Sequence, residues 1–130
     1  MGSKNISVLL VDDDKDFLDA IAFFLKAKGY DVTLCVSSRD AIRTVRDSKV
    51  DVVFLDYQMP DQDGMSVLRE LRKTRPHLPV VIVTAYSGDL DIHHAKELGV
   101  SGIFPKTDTF VRLESTIEVV LRQHKKLKTE

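Results

Sequence analysis

Cysteine occurs once in these 130 residues, as Cys35, so no disulfide can form within the chain and nothing in its thiol content points to an oxidising compartment. An excess of one charge is lacking too. With 19 basic and 20 acidic residues the net charge is -1, which gives no general attraction toward nucleic acid or an anionic membrane. The apolar runs stop well short of a membrane span, and the opening "MGSKNIS" has no apolar centre of a secretion signal. A soluble cytoplasmic protein is expected, with neither nucleic acid nor membrane as a direct partner. Low-complexity stretches, internal linkers and repeats are also absent, so 1–130 reads as one domain long enough to bury a core, with 1–5 and 125–130 as flexible ends.

What is present is an alternation of short apolar runs with segments of helical spacing. The runs are "ISVLLV" (Ile6 to Val11), "YDVTLCV" (Tyr30 to Val36), "VDVVFL" (Val50 to Leu55), "VVIVT" (Val80 to Thr84) and "GIF" (Gly102 to Phe104), all strand-like. Between them, Phe17, Leu18, Ile21, Phe24 and Leu25 form one helical face that Gly29 can terminate. Ser37 with Asp40 resembles a capping box before Ala41, Ile42 and Val45. A third helix follows Gly64 through Met65, Leu68 and Leu71 until Pro76 and Pro79 close it. A fourth spans Asp89 to Leu98, and a fifth carries Phe110, Leu113, Ile117, Val120 and Leu121.

Runs that are apolar throughout indicate strands covered on both faces, and intervening helices imply right-handed crossovers in a parallel sheet. The expected fold is α/β, a flavodoxin-like doubly wound five-stranded parallel sheet of order 2-1-3-4-5 with five helices. No glycine-rich dinucleotide turn follows the first strand.

In such sheets ligands bind beyond the carboxyl ends of the strands, where the order reverses. That rule selects Asp12, Asp13 and Asp14 at the end of strand one, Asp56 ending strand three, Thr84 ending strand four and Lys106 just past strand five. Asp14 reads as a helix cap. Asp12, Asp13 and Asp56 within about 4 Å of one another would repel pairwise by roughly 4 kcal/mol at an effective dielectric near 20, so a cation must relieve them. Oxygen-only donors suit Mg²⁺ rather than zinc. A metal, three carboxylates, a hydroxyl and an ammonium make a phosphoryl-transfer constellation in which one carboxylate is the nucleophile.

With those residues in place, the sequence resembles a receiver domain of the two-component response regulator family, the CheY-like superfamily, over essentially its whole length. The resemblance implies that Asp56 in "FLDYQMP" accepts the phosphoryl group, that Asp12 and Asp13 in "VDDD" hold Mg²⁺ together with Asp56 and the backbone carbonyl of Gln58, and that Thr84 in "VTA" and Lys106 in "FPKT" contact the phosphoryl oxygens. It implies a sensor histidine kinase as donor and a signalling switch, not an enzyme for an external substrate, that assists its own phosphorylation and dephosphorylation. Output would leave through the fourth helix, fifth strand and fifth helix, toward a downstream protein or a fused output domain, or through a homodimer formed on phosphorylation. Two positions depart from the family pattern: Ile103 stands where an aromatic is usual, and Pro105 precedes the lysine while Thr107 follows it. Gln58 and Tyr86, two residues after the acceptor and the threonine, flank the path of attacking water.

Other readings are weaker. A phosphatase of the haloacid dehalogenase type needs a titrating acid where Gln58 stands. A flavin-binding flavodoxin needs a phosphate-cradling loop where "DDD" would repel the phosphate. The EF-hand-like spacing of Asp61, Asp63, Gly64 and Glu70 would start on Met59, which offers no hard oxygen. His93 and His94 are adjacent, with no partner one helical turn away, and read as surface residues.

Overall fold

The computed structural model describes residues 6–59, 62–85, 92–97 and 99–129, with backbone alone at 92, 94, 95 and 125–129. Tyr86 and the first turn expected of the fourth helix lie outside the described residues. In chain order the elements are β1 (Ser7–Val11), α1 (Lys15–Ala27), β2 (Asp31–Cys35), α2 (Ser38–Asp47), β3 (Val52–Asp56), α3 (Gly64–Thr74), β4 (Val80–Thr84), α4 (Ile92–Glu97), β5 (Gly102–Pro105) and α5 (Phe110–Thr129). All strand pairs are parallel, and the sheet order is β2-β1-β3-β4-β5, as expected.

Successive side chains of a strand point to opposite faces, and here both faces are covered. Leu9, Val11, Val53, Leu55, Val80 and Ile82 pack under α2 and α3, against Ala41, Val45, Leu68 and Leu71. Val8, Leu10, Val52, Phe54, Val81 and Val83 pack under α1 and α5, against Leu18, Ile21, Leu25, Leu113 and Ile117. This is why β3 and β4 are buried at every position and read as unbroken apolar runs. β2 departs from the expectation: Thr33 and Leu34 are exposed, because the strand lies at the sheet edge with a neighbour on one side only.

Local chemistry sets the helix starts. The Asp14 carboxylate accepts from the Phe17 N–H at 3.1 Å, Ser37 Oγ from the Asp40 N–H at 3.3 Å, and Asp63 from the Ser66 N–H at 2.9 Å. Gly29, at φ 96°, ends α1 in the left-handed region, where a side chain would be strained. Strand three starts later than the pattern predicts, at Val52: the Asp51 N–H still donates to the Ser7 carbonyl at 2.8 Å, but the Ser7 N–H donates to the Asp51 carboxylate at 2.7 Å in place of a backbone carbonyl. It ends at Asp56, as expected.

Gly64 joins the end of β3 to α3. Its N–H donates to the Tyr57 carbonyl at 2.7 Å, and a Cβ there would lie 2.8 Å from Tyr57 Cα and 2.9 Å from the Asp56 carbonyl oxygen. Backbone cannot yield as a flexible side chain can. Gly102 is a natural control, since its added Cβ would meet only side-chain carbons at 3.9 Å. Thermal unfolding of Gly64→Ala should therefore show a loss of about 1–3 kcal/mol, while Gly102→Ala stays near wild type; equal melting temperatures for the two would refute the close-approach argument.

Candidate functional site

The strand order reverses between β1 and β3, which sit side by side with Val11 opposite Leu55. Their carboxyl ends therefore deliver Asp12 and Asp56 to the same rim, while the turn into α1 adds Asp13. One carboxylate oxygen from each of Asp12, Asp13 and Asp56 lies within 4.8 Å of the other two. Asp12 and Asp56 are buried and Asp13 is exposed, so the cluster opens toward solvent on one side.

The neighbouring strands supply the rest. Val83 is in register with Asp56, and Thr84, the next residue, is buried at the end of β4 opposite Pro105. The Thr84 carbonyl accepts from the Lys106 N–H at 2.9 Å, which anchors the lysine backbone one residue beyond β5. Lys106 Nζ then reaches Asp12 Oδ2 at 2.8 Å and Asp56 Oδ2 at 3.6 Å. The structure thus brings together the side chains of Asp12, Asp13, Asp56 and Lys106, and sets Thr84 on the adjoining strand end. Gln58 has an exposed side chain, and its N–H donates to Asp56 Oδ1 at 3.2 Å. That amide contact was not legible in the sequence, where Gln58 was expected to act through its carbonyl.

The electrostatics follow from this crowding. Burial is the largest effect on Asp56 and raises its pKa; the Asp12 charge adds to it, while the Gln58 amide and the Lys106 ammonium oppose it, leaving the group pushed up to about 7. Burial acts against the charge on Lys106 as well. The Asp12 carboxylate, with Asp56 and Asp14 behind it, outweighs that and holds the lysine above its ordinary value. Asp12 Oδ1 accepts from the Asp14 N–H at 2.9 Å, whereas its buried Oδ2 faces Lys106 at ion-pair distance without a well-directed hydrogen bond. A buried oxygen served this way, beside two further carboxylates and with no nitrogen or sulfur donor in the cluster, suits a hard divalent cation that keeps part of its water shell.

One neighbour escaped the sequence reading altogether. Phe17, the first member of the α1 apolar face, lies with its ring centroid 5.0 Å from Lys106 Nζ. Periodicity could place it on the inward side of α1 but could not reveal a lysine from just past β5 above it. The EF-hand-like stretch is resolved differently: Met59 is buried and Asp63 caps α3. His93 is exposed, as expected. No described helix is long and apolar enough to cross a membrane.

Comparison with known proteins points to one family. The family model for the response regulator receiver domain matches residues 8–118. A response regulator receiver domain protein from Clostridium thermocellum is 33% identical, with a TM-score of 0.85 over 94% of this chain and 98% of that one. A CheY-like receiver domain protein from Methanospirillum hungatei JF-1 shares the fold at a TM-score of 0.89 and 23% identity, covering 95% of this chain and 98% of that one. The response regulator protein TrrA from Thermotoga maritima, solved in complex with Mg(2+)-BeF, shares it at a TM-score of 0.81 and 23% identity over 89% and 99% of the two chains. With a family model spanning most of its length and a relative one-third identical along nearly all of it, this chain belongs to the response regulator receiver domain family of two-component systems.

Proposed function

We propose that this receiver domain is switched by phosphorylation of Asp56 in the presence of Mg²⁺. The observation that carries the reading is the convergence of three carboxylates from β1 and β3 with the Lys106 ammonium on one rim. Asp12, Asp13 and Asp56, with the Gln58 carbonyl, would hold the ion, which when bound supplies positive charge beside the entering phosphoryl group. An oxygen of the Asp56 carboxylate attacks phosphorus; the new O–P bond forms as the P–N bond of a kinase phosphohistidine breaks, and the imidazole nitrogen leaves with the electron pair. Lys106 and the Thr84 hydroxyl contact phosphoryl oxygens, and attack by water on phosphorus later returns free carboxylate and phosphate.

The partners follow the same reading: a sensor histidine kinase as donor, and output through α4, β5 and α5 to a downstream protein, a fused domain or a second copy of the chain. We place it in the cytoplasm as a single receiver unit. The added charge at Asp56 biases a pre-existing equilibrium between two surfaces. A phosphatase acting on external esters is disfavoured by Gln58, whose amide cannot serve as general acid or base.

Two measurements test this. Incubated with a small acyl phosphate and Mg²⁺, the protein should gain one phosphoryl group by intact mass, and should not gain it when Mg²⁺ is chelated or in Asp56→Asn. An adduct that persists in Asp56→Asn would sink the assignment.

The second concerns stability without metal. Asp56 is raised above its unfolded value, so the folded state binds more protons than the unfolded state between about pH 4 and 7, and stability falls as pH rises through that window. Asp56→Asn removes this effect. Under chelating conditions it should melt at least about 5 °C above wild type at pH 8 and close to it near pH 4, with Mg²⁺ narrowing the gap at pH 8. A variant melting below wild type at pH 8 would contradict the proposed crowding.

A further inference from the structure

We propose that Phe17 is a positioning residue for Lys106, its ring forming a fixed floor that keeps the ammonium beside Asp56 when a metal ion competes for the carboxylates. The inference rests on Lys106 acting at the phosphoryl site. The ammonium lies 2.8 Å from Asp12, 3.6 Å from Asp56 and 5.0 Å from the centroid of the Phe17 ring, with the Asp14 charge further out. The two carboxylates belong to the cluster that suits a divalent cation. Once such an ion takes their oxygens, their hold on the lysine weakens, and the attraction between the ammonium and the π face of Phe17 is the contact a metal does not claim.

The ring is held in place for this. Phe17 lies in the first turn of α1, and its own N–H donates to the Asp14 cap at 3.1 Å, so the turn that carries Asp12 and Asp13 also sets the Phe17 backbone. Its side chain is half-buried and packs against the core layer under α1 and α5. The Lys106 side chain is only 21% exposed, so part of its hydration is already gone and the ring replaces some of it. Leucine at position 17 would keep the apolar packing but offer no π face. Tyrosine would keep the face.

The test compares wild type, Phe17→Leu and Phe17→Tyr, each as the full chain, using Mg²⁺ with beryllofluoride as a tetrahedral stand-in for the phosphoryl group. Phe17→Leu should bind beryllofluoride about 2–5-fold more weakly, the range an aromatic–ammonium contact at a partly exposed site supports, with Mg²⁺ affinity in the absence of beryllofluoride not reduced. Phe17→Tyr should restore the wild-type value. In proton NMR the Lys106 ε-methylene signals should be shifted upfield by the ring current in wild type and Phe17→Tyr, which reports that the ring faces the lysine in solution, while rescue by tyrosine and the unreduced Mg²⁺ affinity separate positioning from a merely structural role. Normal uptake by wild type with unchanged uptake in Phe17→Leu, no rescue by tyrosine, or methylene signals indifferent to the substitution would each overturn the inference alone. Wild-type protein that takes up no beryllofluoride would instead bring down the phosphoryl-site reading, and this inference with it.

Discussion

An ammonium shared by two buried carboxylates is the contact on which the rest of the rim depends. Asp12 and Asp56 end adjacent strands and are almost without solvent, so each loses hydration and gains a like charge as a neighbour. Lys106 offsets part of that at 2.8 and 3.6 Å, and the Asp14 and Gln58 amides serve the outer oxygens. The balance remains incomplete. Asp56 is pushed up to about 7 even with the lysine beside it, so the pocket has an outstanding demand for positive charge. Three carboxylate oxygens within 4.8 Å of one another make this the place on the rim where a hard divalent cation fits.

The scaffold delivers this arrangement by ordinary means. Parallel strands end on the same side, the order reversal sets β1 beside β3, and β4 and β5 extend the rim to Thr84 and Lys106. Capping residues do the fine placement: Asp14 starts α1 immediately after the acidic pair, and Asp63 starts α3 just where Gly64 must approach the backbone of Asp56 and Tyr57. At both turns the residue that caps the helix lies next to residues of the rim. The stiffness comes from the two apolar layers, which hold every residue of β3 and β4 out of solvent.

Much of this was legible in the linear chain. Strand four was read to the residue, the caps Asp14 and Ser37 were found from side-chain type and position, and Gly29 marked the end of α1. The boundaries that moved did so through tertiary contacts: Asp51 left the strand pattern to satisfy Ser7, and β2 was exposed at Thr33 and Leu34 because an edge strand has one neighbour. Neither fact is encoded in local periodicity.

What the chain determined alone was which residues would arrive at the rim, because strand ends, acidic residues and the parallel crossover rule are all properties of order along the sequence. Tertiary structure alone decided which side chain meets which across the rim: Lys106 nearer Asp12 than Asp56, and the Phe17 ring beneath the ammonium. The physical reason is range. Hydrophobic pattern and capping act over a few residues, whereas Coulomb and ring contacts depend on distances of a few ångströms between segments far apart in the chain, and those distances exist only after the layers have packed.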